Sequence, residues 1–222
     1  MLSGLGPDIE EVYAELGTEI VIVNRTPQVS ERILYEINAQ GTKPFIREHH
    51  LDCTFPYNTS LVVGDVVYMP KTGRYHMVMN LTSELFEDEP VEVNGVIYLC
   101  NLPLTARILR PAEIRDAQSY DMISGWSVLV DAPVYGLITD RIFGSQLDEL
   151  VIVGQTQIWR IDLYLPKRYN LEPLDRVVIS DTEYYKIEAI EAYNFPGAVV
   201  ATLVEDNRPM HDVIFDDEVY DD

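Results

Sequence analysis

Basic residues are scarce in this chain. Its 222 residues include 16 Lys and Arg against 37 Asp and Glu, which gives a net charge of −21. A surface this acidic repels phosphate groups, so the composition argues against direct binding of nucleic acid or anionic lipid. Two interpretations stay open: the charge serves solubility or adaptation to high salt, or it forms a functional surface that meets a basic partner or lines an acidic channel.

Cysteine is also rare, and long apolar runs are absent. Cys53 and Cys100 are too few for a disulfide framework, and each lies in a strand-like run, which predicts buried free thiols. Residues 1–16 lack the basic start and apolar core of a signal peptide. No run approaches the roughly 18 apolar residues that a membrane span requires. We therefore expect a protein made and kept in a reducing cytosol.

Motifs of the common enzyme classes are missing as well. The sequence contains no Gly-x-Ser-x-Gly, no Gly-rich phosphate-binding loop and no Cys-x-x-Cys pair. Carboxylate pairs carry little information about catalysis in so acidic a chain. These absences favour a protein without catalytic residues, while scattered catalytic residues keep an enzyme as an alternative.

Histidines and clustered acids do not form a metal-site pattern. His49-His50 precedes Asp52, but adjacent residues of a strand point to opposite faces and cannot chelate one ion together. His76 lies between apolar neighbours, and we predict it on the exposed face of its strand. The acidic segment 84–92 lacks the residue order of a calcium loop, so we interpret it as a solvated loop. We expect neither a metal nor a cofactor.

Residue types typical of β-strands are abundant. Tyr occurs 14 times, and the 12 Gly and 13 Pro are dispersed between apolar runs as turn residues. A hydrophobic content of 47% is ample for packed cores, and the length fits one large or two small domains. The composition predicts a folded, mainly β protein.

A segment of the first half of the chain is repeated in the second half. Residues 51–77 align without a gap with residues 161–187, and seven of the 27 positions are identical, where unrelated sequences would share about two. The identical pairs are Asp52/Asp162, Pro56/Pro166, Leu61/Leu171, Asp65/Asp175, Val67/Val177, Thr72/Thr182 and Tyr75/Tyr185. They include a turn proline, a strand-entry Asp-x-Val and a Thr-x-x-Tyr hairpin, which are positions that set the backbone, and none looks like a nucleophile or a ligand. The repeat predicts two similar small β-barrel or sandwich modules, which favours a scaffold or connector over an enzyme pocket.

Hydrophobic periodicity predicts a helix near the N-terminus. Four apolar residues recur on one helical face within residues 9–17: Ile9, Val12, Tyr13 and Leu16. Residues 25–44 are mostly polar and are predicted as an irregular connection or a hairpin. A helical turn at Ile33, Leu34 and Ile37 is the alternative for that segment.

Strand patterns follow in both modules. The strands predicted for the first module are 19–24, 62–69, 74–79 and 96–100, and those for the second are 126–131, 176–179, 184–190 and 199–203. Asn94-Gly95 is predicted as a hairpin turn. In the strand 184–190 we expect Tyr185, Ile187 and Ala189 on the buried face.

These elements divide the chain into four predicted parts. Residues 1–101 hold the N-terminal helix and the first β module, 102–124 form a linker with a helix from Ala112 to Tyr120, and 125–205 form the second β module. Residues 206–222 form an acidic tail. From Glu205 onward the chain has eight acids and one Arg, so the tail is predicted to be mobile, with residues 213–215 available to anchor on a neighbour.

The strand pattern of residues 175–205 resembles that of the small β-barrel connector proteins of tailed bacteriophages, known as head closure, stopper or neck proteins. In that family a strand pair of this kind precedes a loop and a last strand. The duplication and the chain length depart from the typical member, which has a single small barrel.

The resemblance implies a structural virion protein without enzymatic activity. Several subunits would form a homo-oligomeric ring between the portal or adaptor side and the tail side, with DNA only as passing cargo and no membrane contact. The protein would occur in the virion and, during assembly, in the host cytoplasm. Candidate interface or channel-loop residues lie in segments 82–95 and 192–197 and in the tail: Glu84, Phe86, Glu87, Asp88, Glu89, Tyr193, Asn194, Phe195, Pro196 and Phe215.

Two alternatives stay open. A baseplate or tail-end structural protein would share the β modules and the lack of catalytic motifs. A β-sandwich hydrolase or sugar-binding protein is the other, and an aromatic surface would serve it: Trp159, Tyr184, Tyr185, Tyr193 and Phe195. Tyrosines on strands are more often core edges or interface anchors, which favours the structural alternatives.

Overall fold

Two β-sheets account for most of the chain. The structure, a computed structural model, describes residues 5–37, 50–115, 122–139, 161–208 and 213–215. Within these ranges one α-helix precedes a closed six-stranded barrel, and an eight-stranded sheet follows. The prediction of a mainly β protein with a short N-terminal helix is confirmed.

Helix α1 (Leu5–Leu16) packs on the barrel through one residue in particular. Tyr13 is 2% exposed, and its hydroxyl donates a 3.2 Å hydrogen bond to the carbonyl of Phe55. The predicted apolar face is wrong in part, because Val12 is 42% and Leu16 is 72% exposed. The helix is therefore held by the buried Tyr13, the half-buried Ile9 and polar contacts from Asn58 and Arg32, rather than by a continuous apolar stripe.

The barrel closes in the order β1-β2-β3-β6-β5-β4. Its strands are β1 (Thr18–Ile22), β2 (Val29–Ile37), β3 (His50–Pro56), β4 (Val66–Met69), β5 (Arg74–Phe86) and β6 (Glu89–Leu99). Alternate residues of β3 point inward, so Leu51, Cys53 and Phe55 are buried in the barrel core. Both cysteines are free, as predicted, although Cys100 is only half-buried.

Two predictions within the barrel need correction. The helical turn at residues 33–37 is wrong, because residues 29–37 form β2 and pair with both β1 and β3; residues 38–44 lie outside the described residues. Asn94-Gly95 is not a turn but lies within β6, opposite both β3 and β5. The chain reverses instead at Glu87-Asp88, whose φ angles of 50° and 68° fit a type I′ turn.

The second sheet has the order β14-β8-β7-β11-β12-β13-β10-β9 in the described part of the chain. Its strands are β7 (Arg107–Arg115), β8 (Met122–Val130), β9 (Leu137–Thr139), β10 (Ile161–Pro166), β11 (Arg176–Ser180), β12 (Glu183–Glu191), β13 (Ala198–Glu205) and β14 (Val213–Phe215). A single 3-10 turn, Lys167–Tyr169, follows β10. The strands predicted near 126–131, 176–179, 184–190 and 199–203 are confirmed as β8, β11, β12 and β13.

The predicted helix from Ala112 to Tyr120 is wrong for its described part. Ala112–Arg115 belong to β7, whose antiparallel partner is β8, and residues 116–120 lie outside the described residues. This pairing satisfies the backbone groups across the sheet and so overrides a local helical preference.

The structure differs from two further predictions, one for the buried face of β12 and one for residues 213–215. Of the three residues predicted on the buried face of β12, only Ile187 is buried: Tyr185 is half-buried like its neighbours, and Ala189 is exposed beyond a register shift opposite β13. Residues 213–215, predicted to be available to anchor on a neighbour, form β14, which pairs in parallel with Gly125–Ser127 of the same chain.

The barrel and the second sheet share an apolar cluster at their junction. Its buried members are Met77, Met79, Leu137, Tyr164, Ala198 and Val200. The backbones at Gly197 and Val63 also lie very close together there. A Cβ atom added to Gly197 would be only 2.3 Å from the carbonyl carbon of Val63. Arg168 donates a 2.9 Å hydrogen bond from Nη1 to the carbonyl of Gly64. The two sheets therefore meet in a closely packed interface.

Candidate functional site

The candidate residues of segment 82–95 lie on a hairpin that extends beyond the barrel. Strand β4 pairs with β5 only at residues 74–77, and β3 pairs with β6 only as far as Glu92. Every residue from 82 to 90 is exposed, including Leu85 at 60% and Phe86 at 53%. The segment predicted as a solvated loop is thus an ordered two-stranded ribbon. We call residues 82–92 the tip hairpin.

Acidic groups dominate the tip hairpin. The sequence contains no Lys or Arg between Arg74 and Arg107. Glu84 and Glu92 are direct cross-strand partners on β5 and β6, and Asn94 donates a 2.9 Å hydrogen bond from Nδ2 to Glu84. Desolvation and the negative charge of Glu84 raise the pKa of Glu92. The tip hairpin therefore presents negative charge and two large apolar side chains together.

A groove of about 600 Å³ lies at the base of the tip hairpin. Facing residues of β2, β3, β5 and β6 form it, and most of its polar lining is neutral or acidic: Glu36, Asp52, Thr54, Asn80, Thr82 and Asn94. The amide oxygen of Asn80 accepts a 2.7 Å hydrogen bond from the backbone N–H of Val96. Sequence reasoning missed this groove because its residues come from four strands that are distant along the chain.

Segment 192–197 lies at the opposite end of β6. Phe195 packs against Tyr98 and Tyr164, with ring centroids 6.3 Å and 6.0 Å apart. The other candidates of this segment are exposed: Tyr193, Asn194 and Pro196. Tyr98 and the turn at residues 87–88 are separated by most of an extended strand, about 30 Å at roughly 3.4 Å per residue. The structure does not bring the two predicted segments together.

The remaining aromatic candidates do not form one surface. Tyr184 lies under the guanidinium of Arg176 at 5.4 Å, whereas the Tyr185 hydroxyl donates a 2.8 Å hydrogen bond to Glu183. Phe215 lies in β14, with its backbone opposite Ser127. Trp159 lies outside the described residues.

Two buried aspartates hold corresponding turns in the two sheets. Asp65 and Asp175 are 3% and 1% exposed. Each carboxylate accepts a hydrogen bond from the backbone N–H three residues earlier, at 3.0 Å from Val62 and 2.8 Å from Glu172. The sequence pattern identified these aspartates as strand-entry residues.

An arginine binds each of these aspartates, and no sequence pattern indicated either pairing. Arg25 donates to Asp65 at 2.5 Å and to the carbonyl of Ser60 at 2.6 Å. Arg110 donates to Asp175 at 3.0 Å and to the carbonyl of Asn170 at 2.8 Å. The arginines lie far from their partners along the chain, so only the fold reveals the pairing. Both clusters hold their turns through these hydrogen bonds.

A further ionic network contacts Trp126 of β8. The guanidinium groups of Arg176 and Arg208 lie 4.1 Å and 4.5 Å from the centroid of the Trp126 ring. Both arginines donate to Asp206 at 2.7 Å. Although burial opposes ionisation, the hydrogen bonds from Arg208 and Arg176 hold the pKa of Asp206 well below its usual range. The carboxylate is therefore a fixed counter-charge within the fold.

His76 is buried, and the prediction of an exposed position is wrong. It is 2% exposed, and it lies on the same side of β5 as Val78, which belongs to the barrel core. Its Nδ1 atom has no hydrogen-bond partner. Burial, together with the positive charge of Arg74, lowers the pKa of His76 to about 4. The imidazole is therefore neutral at physiological pH.

Other groups considered for metal binding or nucleophilic chemistry lie apart. The ring of His50 contacts Tyr98 at a centroid distance of 4.3 Å, and His49 lies outside the described residues. Burial and the charge of Asp52 raise the pKa of the Cys53 thiol. In the part of the chain that the structure describes, no group of three or more His, Cys, Asp or Glu residues is placed to hold a metal ion.

Comparisons of the chain with known protein families, with curated proteins and with solved structures find no match. Over the described ranges, none of the helical structure has the length and apolar character to cross a membrane. The tip hairpin and the groove at its base are therefore the candidate site, and their function must be argued from geometry and charge.

Proposed function

We propose that this protein is a structural virion protein of a tailed phage that forms a ring at the head–tail connector, around the DNA channel. The observation that carries the proposal is the sequence repeat between residues 51–77 and 161–187. The strand pattern of residues 175–205, which resembles that of head closure proteins, supports the same assignment.

The first part of the proposal is that the chain contains two similar β modules. The repeated segments fall on equivalent strands, since 51–77 spans β3, β4 and the start of β5, and 161–187 spans β10, β11 and the start of β12. Neighbouring strands also follow the same order, β3-β6-β5-β4-β1 in the barrel and β10-β13-β12-β11-β7 in the second sheet. Equivalent strands in an equivalent order support an internal duplication.

The aspartate turns support the duplication at the level of single hydrogen bonds. Asp65 and Asp175 bind backbone N–H groups at equivalent positions, and their arginines bind the equivalent carbonyls of Ser60 and Asn170. The residue before each aspartate has a positive φ, 91° at Gly64 and 80° in the second copy. We interpret the two turns as copies of one ancestral turn.

Charge supports a role around passing DNA. A protein with a net charge of −21 repels the phosphate backbone, so DNA moves along its surface without adhering. In the proposed ring, every subunit contributes an acidic tip hairpin next to the passage or next to a neighbouring ring. The mechanism is then assembly and contact between proteins, with no chemical step.

Gold labelling of particles from the source culture, with an antibody to this chain and electron microscopy, tests the proposal. Label at the junction of head and tail is expected. Label at the far end of the tail would replace the proposal with a baseplate or tail-end role. Particles without label would overturn every virion role.

The groove at the base of the tip hairpin favours a second candidate function, the binding of a sugar. Its neutral amides and hydroxyls, such as Asn80, Thr82 and Asn94, are suited to the hydroxyl groups of a polyol. A glycan array probed with the whole protein tests this candidate, with Asn94→Ala and Thr82→Val as groove variants. Binding that both variants lose supports a sugar site, and turnover that depends on Asp52 would indicate a hydrolase.

A further inference from the structure

We infer that the tip hairpin is a docking arm for another protein, whose surface carries Lys or Arg side chains around an apolar pocket. The inference rests on the proposed function, in which such a partner is a neighbouring protein of the connector. Beyond the proposed function, it names the segment that makes the contact and the chemistry of the surface that this segment binds.

Several features of the tip hairpin destabilise it in isolation. Its type I′ turn consists of Glu87 and Asp88, at φ angles of 50° and 68° that Asn and Gly adopt at lower cost. Glu84 and Glu92 place like charges opposite each other across the two strands. A two-stranded ribbon without further partners is itself marginally stable in water. The residues present are therefore not those that would best stabilise a solvated hairpin.

Two large, exposed apolar side chains further destabilise the isolated tip hairpin. Leu85 and Phe86 are 60% and 53% exposed, at the end of β5, beyond the part of that strand that β4 covers. Local rules of sequence and structure are violated most often at functional sites. Burial of such side chains in a partner is favourable because it removes apolar surface from water. Contact with an apolar pocket would therefore compensate for the cost of exposure.

The negative charge of the tip hairpin determines the surface chemistry that its partner must have. Five acids lie in the tip hairpin, at Glu84, Glu87, Asp88, Glu89 and Glu92, and no Lys or Arg lies between residues 74 and 107. Two tip hairpins would repel each other, and a second copy of a chain with a net charge of −21 is a poor partner overall. A surface with Lys or Arg around an apolar pocket matches both the charge and the exposed side chains.

Photo-cross-linking of the full-length protein in the cells that produce it tests the inference. A photoreactive phenylalanine analogue replaces Phe86, and the same analogue at Leu16, which is 72% exposed on α1, is the matched control. We expect the Phe86 probe to cross-link to one site on another polypeptide, with Lys or Arg and apolar residues in the linked peptide. The Leu16 probe should not reach that site.

Charge reversal provides the second measurement. In the Phe86 probe background, Glu87→Lys with Glu89→Lys should lower the cross-link yield about tenfold, whereas Glu10→Lys with Glu11→Lys on exposed positions of α1 should leave it unchanged. Thermal unfolding of both double variants checks that the fold is retained.

Several outcomes would overturn the docking arm: a cross-link to a second copy, a cross-link to an acidic or wholly polar surface, a yield no higher than at Leu16, or equal effects of the two charge reversals. Failure of the connector proposal is a separate result. A cross-link to a basic, apolar site on a protein outside the virion would support the docking arm and overturn the connector.

Discussion

Asp65 and Asp175 show how single residues hold corresponding turns. In each turn the backbone N–H of the aspartate donates to the carbonyl three residues earlier, at 3.1 Å in the barrel and 3.2 Å in the second sheet. The residue before the aspartate then occupies the third position of a type II turn, where a positive φ favours glycine. The barrel has Gly64 at this position, and the second sheet has Leu174.

Replacing Leu174 with glycine should therefore stabilise the protein. The side chain is 54% exposed, so little burial is lost, and relief of the strained φ of 80° outweighs the added freedom of the unfolded chain. We expect Leu174→Gly to raise the free energy of unfolding by about 0.5–1 kcal/mol, measured by urea denaturation. Leu104→Gly, at a similarly exposed leucine outside the left-handed region, should instead destabilise. Equal effects of the two changes would contradict the assignment of strain.

His76 should make the stability of the protein depend on pH. Its pKa is lowered to about 4 in the folded state, whereas the unfolded chain takes up the proton near pH 6.5. Stability is therefore lost as the pH falls from 6.5 toward 4, by up to about 3 kcal/mol. His76→Leu removes this contribution and also removes the unpartnered Nδ1 atom. Urea denaturation at several pH values should give a smaller loss for the variant, and parallel losses would show that His76 does not titrate as described.

Among the elements, the tip hairpin contains an unfavourable charge pair that can be removed without removing a hydrogen bond. Glu84→Gln keeps an oxygen acceptor for Asn94 but ends the repulsion with Glu92. After desolvation, the charge of Glu84 is the next cause that raises the pKa of Glu92. We expect a stabilisation of about 0.5 kcal/mol at pH 7 that becomes smaller toward pH 4, as Glu92 takes up a proton. Glu188→Gln, at an exposed position of β12, is the control and should be neutral at both pH values.

Elements with a strong local pattern could be predicted from the sequence, and elements defined by distant pairing could not. Strands β11 and β13 are compact apolar runs and β12 has apolar residues at alternate positions, all between clear turn residues, so their positions were predicted correctly. Residues 112–115 have good helix formers, yet they pair with β8 and become part of β7. The reversal of the chain at Glu87-Asp88 was missed because Asn94-Gly95 is the stronger local turn signal.

The candidate site, too, could be predicted from the sequence only in part. Sequence reasoning found the acids and Phe86 of the tip hairpin, because charge and exposure are local properties. It did not find that segment 192–197 lies at the far end of β6, packed by Phe195 at the junction. Nor could it find the groove, since Glu36, Asp52 and Asn80 come together only when β2, β3 and β5 adopt their register.

At the scale of the whole molecule, the junction between the barrel and the second sheet depends on two facing glycines, Gly64 and Gly197. A Cβ atom at Gly197 would lie 2.3 Å from Val63, so Gly197→Ala forces the two backbones apart. We expect a loss of about 2–4 kcal/mol in the free energy of unfolding, measured by urea denaturation.

The control for the junction is Gly73→Ala. Gly73 has a φ of 68° and nothing within 4 Å of an added Cβ atom, so this change reports backbone strain alone and should cost about 1 kcal/mol. A loss at Gly197 no larger than the loss at Gly73 would show that the junction accommodates the extra atom.

The order of the strands along the chain has a consequence for synthesis on the ribosome. All six barrel strands lie before residue 100, so the barrel can close while the second half is still being translated. Met77 and Met79, however, are covered by Tyr164, Ala198 and Val200. During this interval the newly closed barrel presents an apolar face to solvent, and exposed apolar surface of this kind promotes aggregation until the last strands emerge and cover it.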